Sequence, residues 1–425
     1  MNETAQPSWP DPPAAGSLGD GRLALARLRP ETVVDLCQAV GEHVRDGLAI
    51  YPQGGTTALD YGGIPGRPGV AIDTRSLCRV IDYPHADMTI TVQAGITAAS
   101  LHAVLAEQNQ RLLIDIPQAD RATLGGVFAT NTSGSRRFGL GRPRDQIIGV
   151  NFVTSEGIEV KGGGRVVKNV AGYDLPKLLT GSMGTLGIIT QMTLKVRPMP
   201  EASAVVWVPF TSLASLGGTL DALNTSGSRP VALDLLSAPA ARIIGESLNV
   251  PAGDWVLVIG LEDNATSVNW QINRLMIELG RADLTILQDE HAAAGWAGLT
   301  EFSAAELGPV SCVVSIRPSG VIPFVASIDP GRWAVQAHAG NGIVRLHALG
   351  DWTLDHAAAE IDRFRSLAER EGEGGSVILA RCPTGWKVRL GVWGRPQADW
   401  ALAERVKQAL DPIGAFNPGR FIGSI

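Results

Sequence analysis

Three glycine-rich elements constrain the fold of this chain more than any other feature of its sequence. They occupy residues 52–57 (PQGGTT), 123–134 (TLGGVFATNTSG) and 181–190 (GSMGTLGIIT). The middle element is dominated by glycine, alanine, serine and threonine, so we expect it to expose its backbone and none of its side chains to build a core. Exposed backbone N–H groups and short hydroxyl side chains are donors that can approach a phosphate closely. The three elements are therefore predicted to form the walls of one dinucleotide site.

Composition and charge exclude several classes of function. With 425 residues, 45% of them apolar and 18% charged, the chain is predicted to form two or three folded domains with proper cores. Its net charge of -6 provides no basic surface, so no nucleic-acid partner is expected. The cysteines are far apart and form no C-x-x-C pair, which argues against a zinc or iron–sulfur site on this chain. We expect isolated thiols in a reducing compartment and no metal.

The N-terminal residues 1–21 are rich in proline, alanine and glycine. They contain no apolar run of the kind found in a secretory signal peptide, so a flexible N-terminus is predicted. Apolar runs such as residues 255–261 have the length of a strand and fall short of the ~18 residues that a transmembrane helix requires. We therefore expect a cytoplasmic protein without a transmembrane segment, and any peripheral membrane association would come through its partners.

Hydrophobic periodicity predicts two main units. In the first unit it predicts helices at 31–47 and 98–108 and strands at 48–51, 70–73, 88–94, 147–154, 158–160 and 186–196. Pro198 and Pro200, together with a change in composition after them, place the boundary between domains 22–200 and 201–425. In the second unit strands alternate with helices, which predicts an antiparallel sheet covered by helices on one face. The expected fold class is α+β.

Several motifs that would name a chemistry are missing. No G-x-G-x-x-G follows a predicted strand and no G-x-x-x-x-G-K-[ST] is present, which disfavours a Rossmann fold and a P-loop. There is no G-x-S-x-G nucleophile elbow and no H-E-x-x-H metal motif. The glycine-rich elements must therefore bind an anionic ligand through another arrangement of backbone amides.

The chain resembles the vanillyl-alcohol oxidase and p-cresol methylhydroxylase (PCMH-type) FAD-binding superfamily. Within it, the chain is most similar to the family of FAD-binding E subunits of bacterial glycolate oxidases. The resemblance covers about residue 30 to the end and rests on residues 52–56, 72–77, 92–95, 123–126, 129–131, 141–145, 168–175, 181–190 and 416–420. It implies a two-part PCMH-type FAD-binding domain, followed by a cap domain with a ferredoxin-like antiparallel α+β fold.

The resemblance also implies which residues hold FAD. Residues with backbone amides around the pyrophosphate would be Gln53, Gly54, Gly55, Thr56 and Thr57. Residues along the pyrophosphate, the ribityl chain and the ring would be Thr123, Gly125, Gly126, Ala129 and Asn131. Further lining residues would be Gly95, Pro117 and, beside the adenine, Ile188 or Ile189, although either isoleucine could equally be a core residue.

Two features of the first two glycine-rich elements refine this expectation. Glycine at positions 54 and 55 is expected because a Cβ would hold the phosphates away from the backbone amides. Neither residues 52–57 nor residues 117–137 contain the His or Cys that attaches the flavin covalently in some relatives. Non-covalent FAD is predicted.

A motif in the second half departs from its relatives. Relatives that oxidise D-2-hydroxy acids carry an H-x-G-D-G-N-x-H stretch, where this chain has His338 followed by AGNGIV and Arg345. Asn341 replaces the acid, Ile343 the Asn and Arg345 the second His, so the ligand chemistry is lost. His338 could be structural or catalytic, and Arg345 could hold a substrate carboxylate or only cover the strand surface. Lys168 is expected to anchor loops and not to act as an acid or base.

The resemblance implies an FAD-binding subunit of a multi-subunit glycolate oxidase, which converts glycolate to glyoxylate by hydride transfer to the flavin. Electrons would leave to a partner, and the implied partners are a paralogous flavoprotein subunit and an iron–sulfur subunit. Two alternatives stay open at this point. One is a self-sufficient FAD-dependent D-2-hydroxyacid dehydrogenase, and the other is a non-catalytic structural subunit of the complex.

Overall fold

The computed structural model describes residues 16–165, 172–281, 284–371 and 374–425. Lys168 and most of the predicted N-terminal segment lie outside these residues. In the first half, the helices are Val33–Arg45, Ala98–Ala106, Leu124–Thr130, Arg137–Leu140, Pro143–Gln146 and Leu175–Leu179. In the second half they are Leu216–Asn224, Ala238–Ile244, Ala265–Leu279, Asp289–Glu301, Val321–Ala326, Leu354–Glu371, Lys387–Leu390 and Trp400–Leu410.

The first half begins with a small parallel sheet that leads into the first glycine-rich element. Its strands lie in the order Arg27–Leu28, Gly69–Asp73, Ala49–Gln53. Helix Val33–Arg45 packs on this sheet because Leu36 and Val40 fall on one face and are fully buried. Its start is fixed by a capping box in which the side chain of Thr32 accepts from the Asp35 backbone.

A larger antiparallel sheet completes the first half. Its strands lie in the order Glu159–Gly163, Ile147–Val153, Ile188–Lys195, Thr89–Gln93, Val80–Asp82. Smaller two-stranded pairs join Ser17–Gly19 to Arg22–Leu23 and Gln110–Arg111 to Arg197–Pro198. Helix Ala98–Ala106 contributes Leu101 and Leu105, both fully buried, to the core on this sheet. The sheet thus holds the end of the third glycine-rich element in a central strand.

The second half is built on one antiparallel sheet. Its strands lie in the order Thr285–Gln288, Ala202–Phe210, Trp255–Asp263, Ala232–Ser237, Trp333–His338, Ile343–Ala348, Ser311–Ser315, Ser376–Arg381. The α+β fold class predicted from the sequence is confirmed. His338 and Arg345 lie on neighbouring strands, and Arg345 pairs with Gln336 in the register.

The expectation that helices cover only one face of this sheet is wrong. In strand Ala202–Phe210, Val206 and Val208 face the helices that include Ala265–Leu279, whereas Val205 and Trp207 face Ala238–Ile244 and Asp289–Glu301. Both sets of side chains are buried, so the strand is apolar on both sides. A strand buried on both faces does not alternate between apolar and polar residues, and its sequence therefore cannot reveal a second helical layer.

The C-terminal residues return to the first half of the chain. Ile50 donates its backbone N–H to Ala415 at 2.8 Å and accepts from Asn417 at 2.9 Å. Between them, the fully buried ring of Phe416 packs in the same core as Ile50 and Leu36. This return places residues 415–420 directly beside the first glycine-rich element.

Candidate active site

A cavity of about 620 Å³ lies between the two halves of the chain. All three glycine-rich elements line it, and strand Ile343–Ala348 of the second half contributes Arg345. Its volume falls within the range of about 300–1,000 Å³ that is usual for cofactor and ligand sites. The cavity can therefore hold a large ligand that contacts both halves.

The first glycine-rich element presents free backbone donors to this cavity. The backbone N–H groups of the half-buried residues Gly54, Gly55 and Thr56, and of the exposed Thr57, find no acceptor among the residues that the structure describes. Buried or half-buried N–H groups are nearly always hydrogen-bonded in native proteins, so a run of free donors indicates a ligand with several acceptor oxygens. A pyrophosphate fits this arrangement.

The second glycine-rich element is a helix, which corrects the expectation of an exposed stretch outside the core. Helix Leu124–Thr130 buries Leu124 and Phe128 completely, so these two side chains do build a core. Its other face is open, because a Cβ built on Gly126 would meet only the Thr123 hydroxyl, at 3.4 Å. The helix ends at Asn131, which adopts a left-handed conformation with φ 55°. Small residues on one face and large ones on the other make this helix a cavity wall.

The reason for glycine at positions 54 and 55 also differs from the expectation. A Cβ on Gly54 would stand 1.9 Å from the Thr123 hydroxyl oxygen, and one on Gly55 would stand 1.6 Å from the Arg121 carbonyl oxygen. Both distances are far inside van der Waals contact. The glycines are therefore required because the first two glycine-rich elements pack against each other, not because a Cβ would reach into the ligand space.

The cavity brings together most of the residues that the sequence singled out. Those that line it are Gln53, Gly54, Gly55, Thr56, Thr57, Pro117, Thr123, Gly125, Gly126, Ala129, Asn131, Ile188, Ile189 and Arg345. Gly95 does not line it. It packs against the segment after strand Gly69–Asp73, where a Cβ would stand 2.1 Å from the Thr74 carbonyl oxygen. The roles of these residues toward FAD stay a prediction.

His338 lies outside the cavity, in a buried polar network behind it. Its Nδ1 lies 2.8 Å from an Asp234 carboxylate oxygen, and both side chains are at most 2% exposed. Arg345 lies in front of it, donating from Nε toward His338 Nε2 at 3.4 Å and from Nη2 to the Ser133 carbonyl at 2.7 Å. A guanidinium can only donate, so Nε2 accepts and the ring proton sits on Nδ1, directed at Asp234. His338 therefore orients Arg345, and Arg345 is the residue that a ligand can reach.

Sequence reasoning missed several residues that line the cavity. They are Tyr61, Arg121, Arg137, Met183, Arg381 and, within the matched C-terminal segment, Arg420. Arg137 follows the second glycine-rich element closely, so a basic residue just after such an element was an available signal. Tyr61 carried no such signal.

The structure limits two further kinds of site. Among the described residues, no three His, Cys, Asp or Glu side chains lie close enough together to hold a metal ion. In the same part of the chain, no helix combines the length and the apolar character needed to cross a membrane. The side chains that line the cavity and that the structure describes include no His and no Cys.

Comparisons with known proteins agree with this geometry. The FAD binding domain family matches residues 24–163, and the FAD linked oxidases C-terminal domain family matches residues 199–317. The chain is also 33% identical to the mitochondrial D-lactate dehydrogenase [cytochrome] of Arabidopsis thaliana over 397 residues, covering 88% of this chain and 69% of the relative. The chain belongs to the FAD-linked oxidoreductases. FAD is accordingly the cofactor, and the free donors at the cavity wall fit its pyrophosphate.

Other relatives of this FAD-linked oxidoreductase differ in substrate. The D-2-hydroxyglutarate dehydrogenase of Xanthomonas citri pv. viticola is 27% identical and covers 93% of this chain and 89% of the relative. The glycolate oxidase subunit GlcE of Escherichia coli is 34% identical over 171 residues, 40% of this chain and 48% of the relative. The crystal structure of p-cresol methylhydroxylase has a TM-score of 0.70 at 17% identity and covers 96% of this chain and 91% of that one. The resemblance to the PCMH-type superfamily is thus confirmed for the fold.

Proposed function

We propose that this chain is the FAD-binding subunit of a multi-subunit glycolate oxidase. The observation that carries the proposal is that one cavity has free backbone donors at one wall and Arg345 at another. Similarity to a glycolate oxidase subunit supports this assignment among the possible 2-hydroxy acid oxidases. The reaction is the oxidation of glycolate to glyoxylate.

The residues of the chain have distinct roles in this proposal. Gln53 to Thr57, with Thr123, Gly125, Gly126, Ala129 and Asn131, hold the cofactor through backbone and hydroxyl donors. Arg345 contributes positive charge where the small acid would bind. FAD, when bound, would supply the acceptor for the hydride that leaves the α-carbon of the substrate. In this proposal the transfer requires the partner subunits, because the His-rich motif of this chain is degraded at Asn341 and Arg345. Because no His or Cys among the described residues lines the cavity, we expect the FAD to be held without a covalent bond.

Partner chains complete the proposed enzyme. The electrons leave to an iron–sulfur subunit, and a paralogous flavoprotein subunit joins the same complex. The cysteines of this chain support an external acceptor, because the structure describes them as free thiols that form no cluster. The complex thereby takes part in glyoxylate metabolism.

A second candidate function is a self-sufficient D-2-hydroxyacid dehydrogenase. The observation that favours it is that strand Ile343–Ala348 lines part of the cavity. This chain would then bind the substrate beside its own cofactor. Similarity to D-2-hydroxyglutarate dehydrogenase over 93% of the chain points the same way. A structural subunit without FAD is disfavoured, because its backbone donors would have no acceptor.

An anaerobic visible spectrum of the purified chain separates these candidates. In the subunit proposal, the flavin band is present, stays oxidised with glycolate, and bleaches only when the partner subunits are added. Bleaching of the isolated chain by a D-2-hydroxy acid would favour the self-sufficient dehydrogenase. A colourless protein that takes up no FAD would contradict both and leave the structural role.

A further inference from the structure

Two arginines from opposite halves of the chain converge on Ser133 at the cavity. Arg345, from the second half, donates to the Ser133 carbonyl at 2.7 Å, and Arg137, from the first half, donates to its hydroxyl at 3.5 Å. Both guanidinium groups belong to residues that line the cavity. Positive charge is thus concentrated at one place on the cavity wall, next to the second glycine-rich element.

Neither arginine has a carboxylate partner among the residues that the structure describes. Arg381, which also lines the cavity, pairs with Glu306 at 3.0 Å, and Arg136 pairs with Asp115 at 2.6 Å. Burial lowers the pKa of Arg345 and the nearby Arg137 lowers it further, while Tyr61 and Asp234 act in the opposite direction. A partly buried cation without a paired counter-ion is energetically unfavourable. Binding of an anionic ligand between Arg345 and Arg137 would therefore be favourable.

The network behind Arg345 keeps its guanidinium at the cavity. The Asp234 carboxylate is satisfied by His338 at 2.8 Å, by Ser135 at 2.5 Å and by Gln336 at 2.9 Å. None of these bonds goes to Arg345, so the Asp234 carboxylate acts on its guanidinium from a distance, behind the His338 ring. Asp234 and His338 hold Arg345 in place without neutralising it by direct contact, which leaves its remaining N–H groups for a ligand.

Tyr61 adds an uncharged donor to the same wall. Burial raises the pKa of Tyr61 to about 12, although Arg345 acts in the opposite direction. The phenol therefore keeps its proton, and its ring is fixed against Trp393 with the ring centres 5.5 Å apart. Its carbonyl oxygen is bound by Arg420 at 2.7 Å, so backbone and ring are both held.

We propose that Arg345, Arg137 and Tyr61 form a subsite for the carboxylate of the substrate. Two guanidinium groups and one hydroxyl can donate hydrogen bonds to both oxygens of a carboxylate. The charge of the guanidinium groups strengthens these bonds for an anion and not for a neutral ligand. This inference rests on the proposed function, because it takes the small 2-hydroxy acid as the anion. Arg345 and Arg137 come from different halves of the chain, so the subsite exists only when the halves are docked.

Binding of oxalate to the FAD-loaded protein tests the subsite without turnover. Oxalate, a carboxylate that carries no α-hydrogen, is titrated by calorimetry into the wild type and into Arg345→Gln, Arg137→Gln and Arg345→Lys. We expect oxalate to bind about tenfold more weakly to each Gln variant. The Lys variant should lose an intermediate amount of affinity, because lysine keeps the positive charge but cannot donate two parallel hydrogen bonds as arginine does. Arg381→Gln, which removes an arginine that is already ion-paired, should change the affinity less than about threefold.

Further measurements keep the result interpretable. The FAD content and the thermal midpoint of every variant show whether it folds. Titration with oxamide, the uncharged amide analogue of oxalate, shows whether any loss of affinity depends on the charge of the ligand. Wild-type affinity in both Gln variants, or no binding of oxalate to the wild type, overturns the subsite. If glycolate still reduces the flavin of the complex at unchanged concentration in both variants, the subsite fails while the proposed function stands. If oxalate binding depends on both arginines but no 2-hydroxy acid reduces the flavin of the complex, the subsite stands and the proposed function fails.

Discussion

Gly55 passes so close to Arg121 that a Cβ at position 55 would lie 1.6 Å from the Arg121 carbonyl oxygen. The Arg121 side chain in turn reaches back toward the Gly55 carbonyl at 3.4 Å. The obstacle is backbone, so it cannot move aside as a flexible side chain would. This contact joins the first glycine-rich element to the segment just before the second, and both residues line the cavity.

Gly55→Ala should therefore disrupt the protein itself. We expect a lower thermal midpoint in the FAD-free protein and weak FAD uptake, because the two elements must separate to accept the methyl group. Gly126→Ala is the matched comparison, since its Cβ would point to open space within helix Leu124–Thr130. There we expect an unchanged or slightly higher midpoint, since alanine favours a helix by ~1 kcal/mol over glycine, with weaker FAD binding. Equal thermal midpoints for the two FAD-free variants would contradict the conclusion that Gly55 is required for packing against Arg121 whereas Gly126 is not.

Arg420 ties the C-terminal residues to the chain on both sides of the first glycine-rich element. It donates to Asp20 at 2.8 Å, to Gly63 at 2.7 Å and to Tyr61 at 2.7 Å, and it also contacts the Leu59 carbonyl. Arg420→Met should lower the free energy of unfolding by ~3–5 kcal/mol, because it leaves several buried acceptors unpaired. Urea denaturation measures the loss.

FAD affinity should fall in the same Arg420 variant. Arg395→Met provides the control, since Arg395 pairs with Glu369 at the surface, where both side chains are at least 40% exposed. An exposed pair is worth ~1 kcal/mol or less, so this variant should keep its stability and its FAD. Similar losses in both variants would show that Arg420 has no special role.

His347 should make the protein sensitive to acid. Burial lowers its pKa to about 4, with further lowering by Arg345 and Arg381, while the unfolded value is about 6.5. The folded state therefore resists protonation that the unfolded state accepts, and stability falls as the pH decreases from about 6.5 to about 4, by up to ~3 kcal/mol. In His347→Gln the decline over this window should be shallower, as measured by urea denaturation at each pH. A decline as steep as in the wild type would assign the acid sensitivity to other groups.

Arg136 should hold the two halves of the chain together. It pairs with Asp115 at 2.6 Å in the first half and with Glu262 at 2.7 Å in the second, and it lies 3.7 Å from the centre of the Trp296 ring. Arg136→Met should cost ~3–5 kcal/mol of unfolding free energy. Arg274→Met, which removes a partly exposed pair within one helix, should cost ~0.5 kcal/mol or less. A loss no larger in the first variant than in the second would exclude Arg136 as the link.

The flavin should be released by acid. Because the described cavity wall offers neither thiol nor imidazole, precipitation with trichloroacetic acid is expected to leave all FAD in the supernatant. Absorbance of the supernatant and of the redissolved pellet measures the two fractions. Yellow colour that stays with the pellet after washing would indicate a covalent bond and contradict non-covalent FAD.

Local patterns made much of this molecule predictable from sequence. Helix Val33–Arg45 falls within the predicted 31–47, because its apolar residues recur with helical spacing. The glycine-rich elements were predictable as cavity walls because closely spaced small residues leave backbone N–H groups accessible to a ligand. FAD followed from the family resemblance that those same elements carry.

What escaped prediction depends on contacts between distant residues. Tyr61 lines the cavity with its carbonyl oxygen bound by Arg420, which lies 359 positions later in the sequence. Arg137 looks like an ordinary solvent-exposed arginine in the sequence, and only the docking of the two halves brings Arg345 beside it at Ser133. The open face of helix Leu124–Thr130 and its buried Phe128 likewise depend on what packs on each side.

The return of the C-terminal residues bears on how the protein is made. Arg420 lies 357 residues after Gly63, whose carbonyl oxygen it binds. A ribosome adding about 5–20 residues per second needs roughly 20–70 seconds to cover that distance. During this interval the first glycine-rich element is already outside the ribosome but lacks its support. We therefore expect flavin loading to be a late event in the synthesis of this chain, after residues 415–420 have reached the first glycine-rich element.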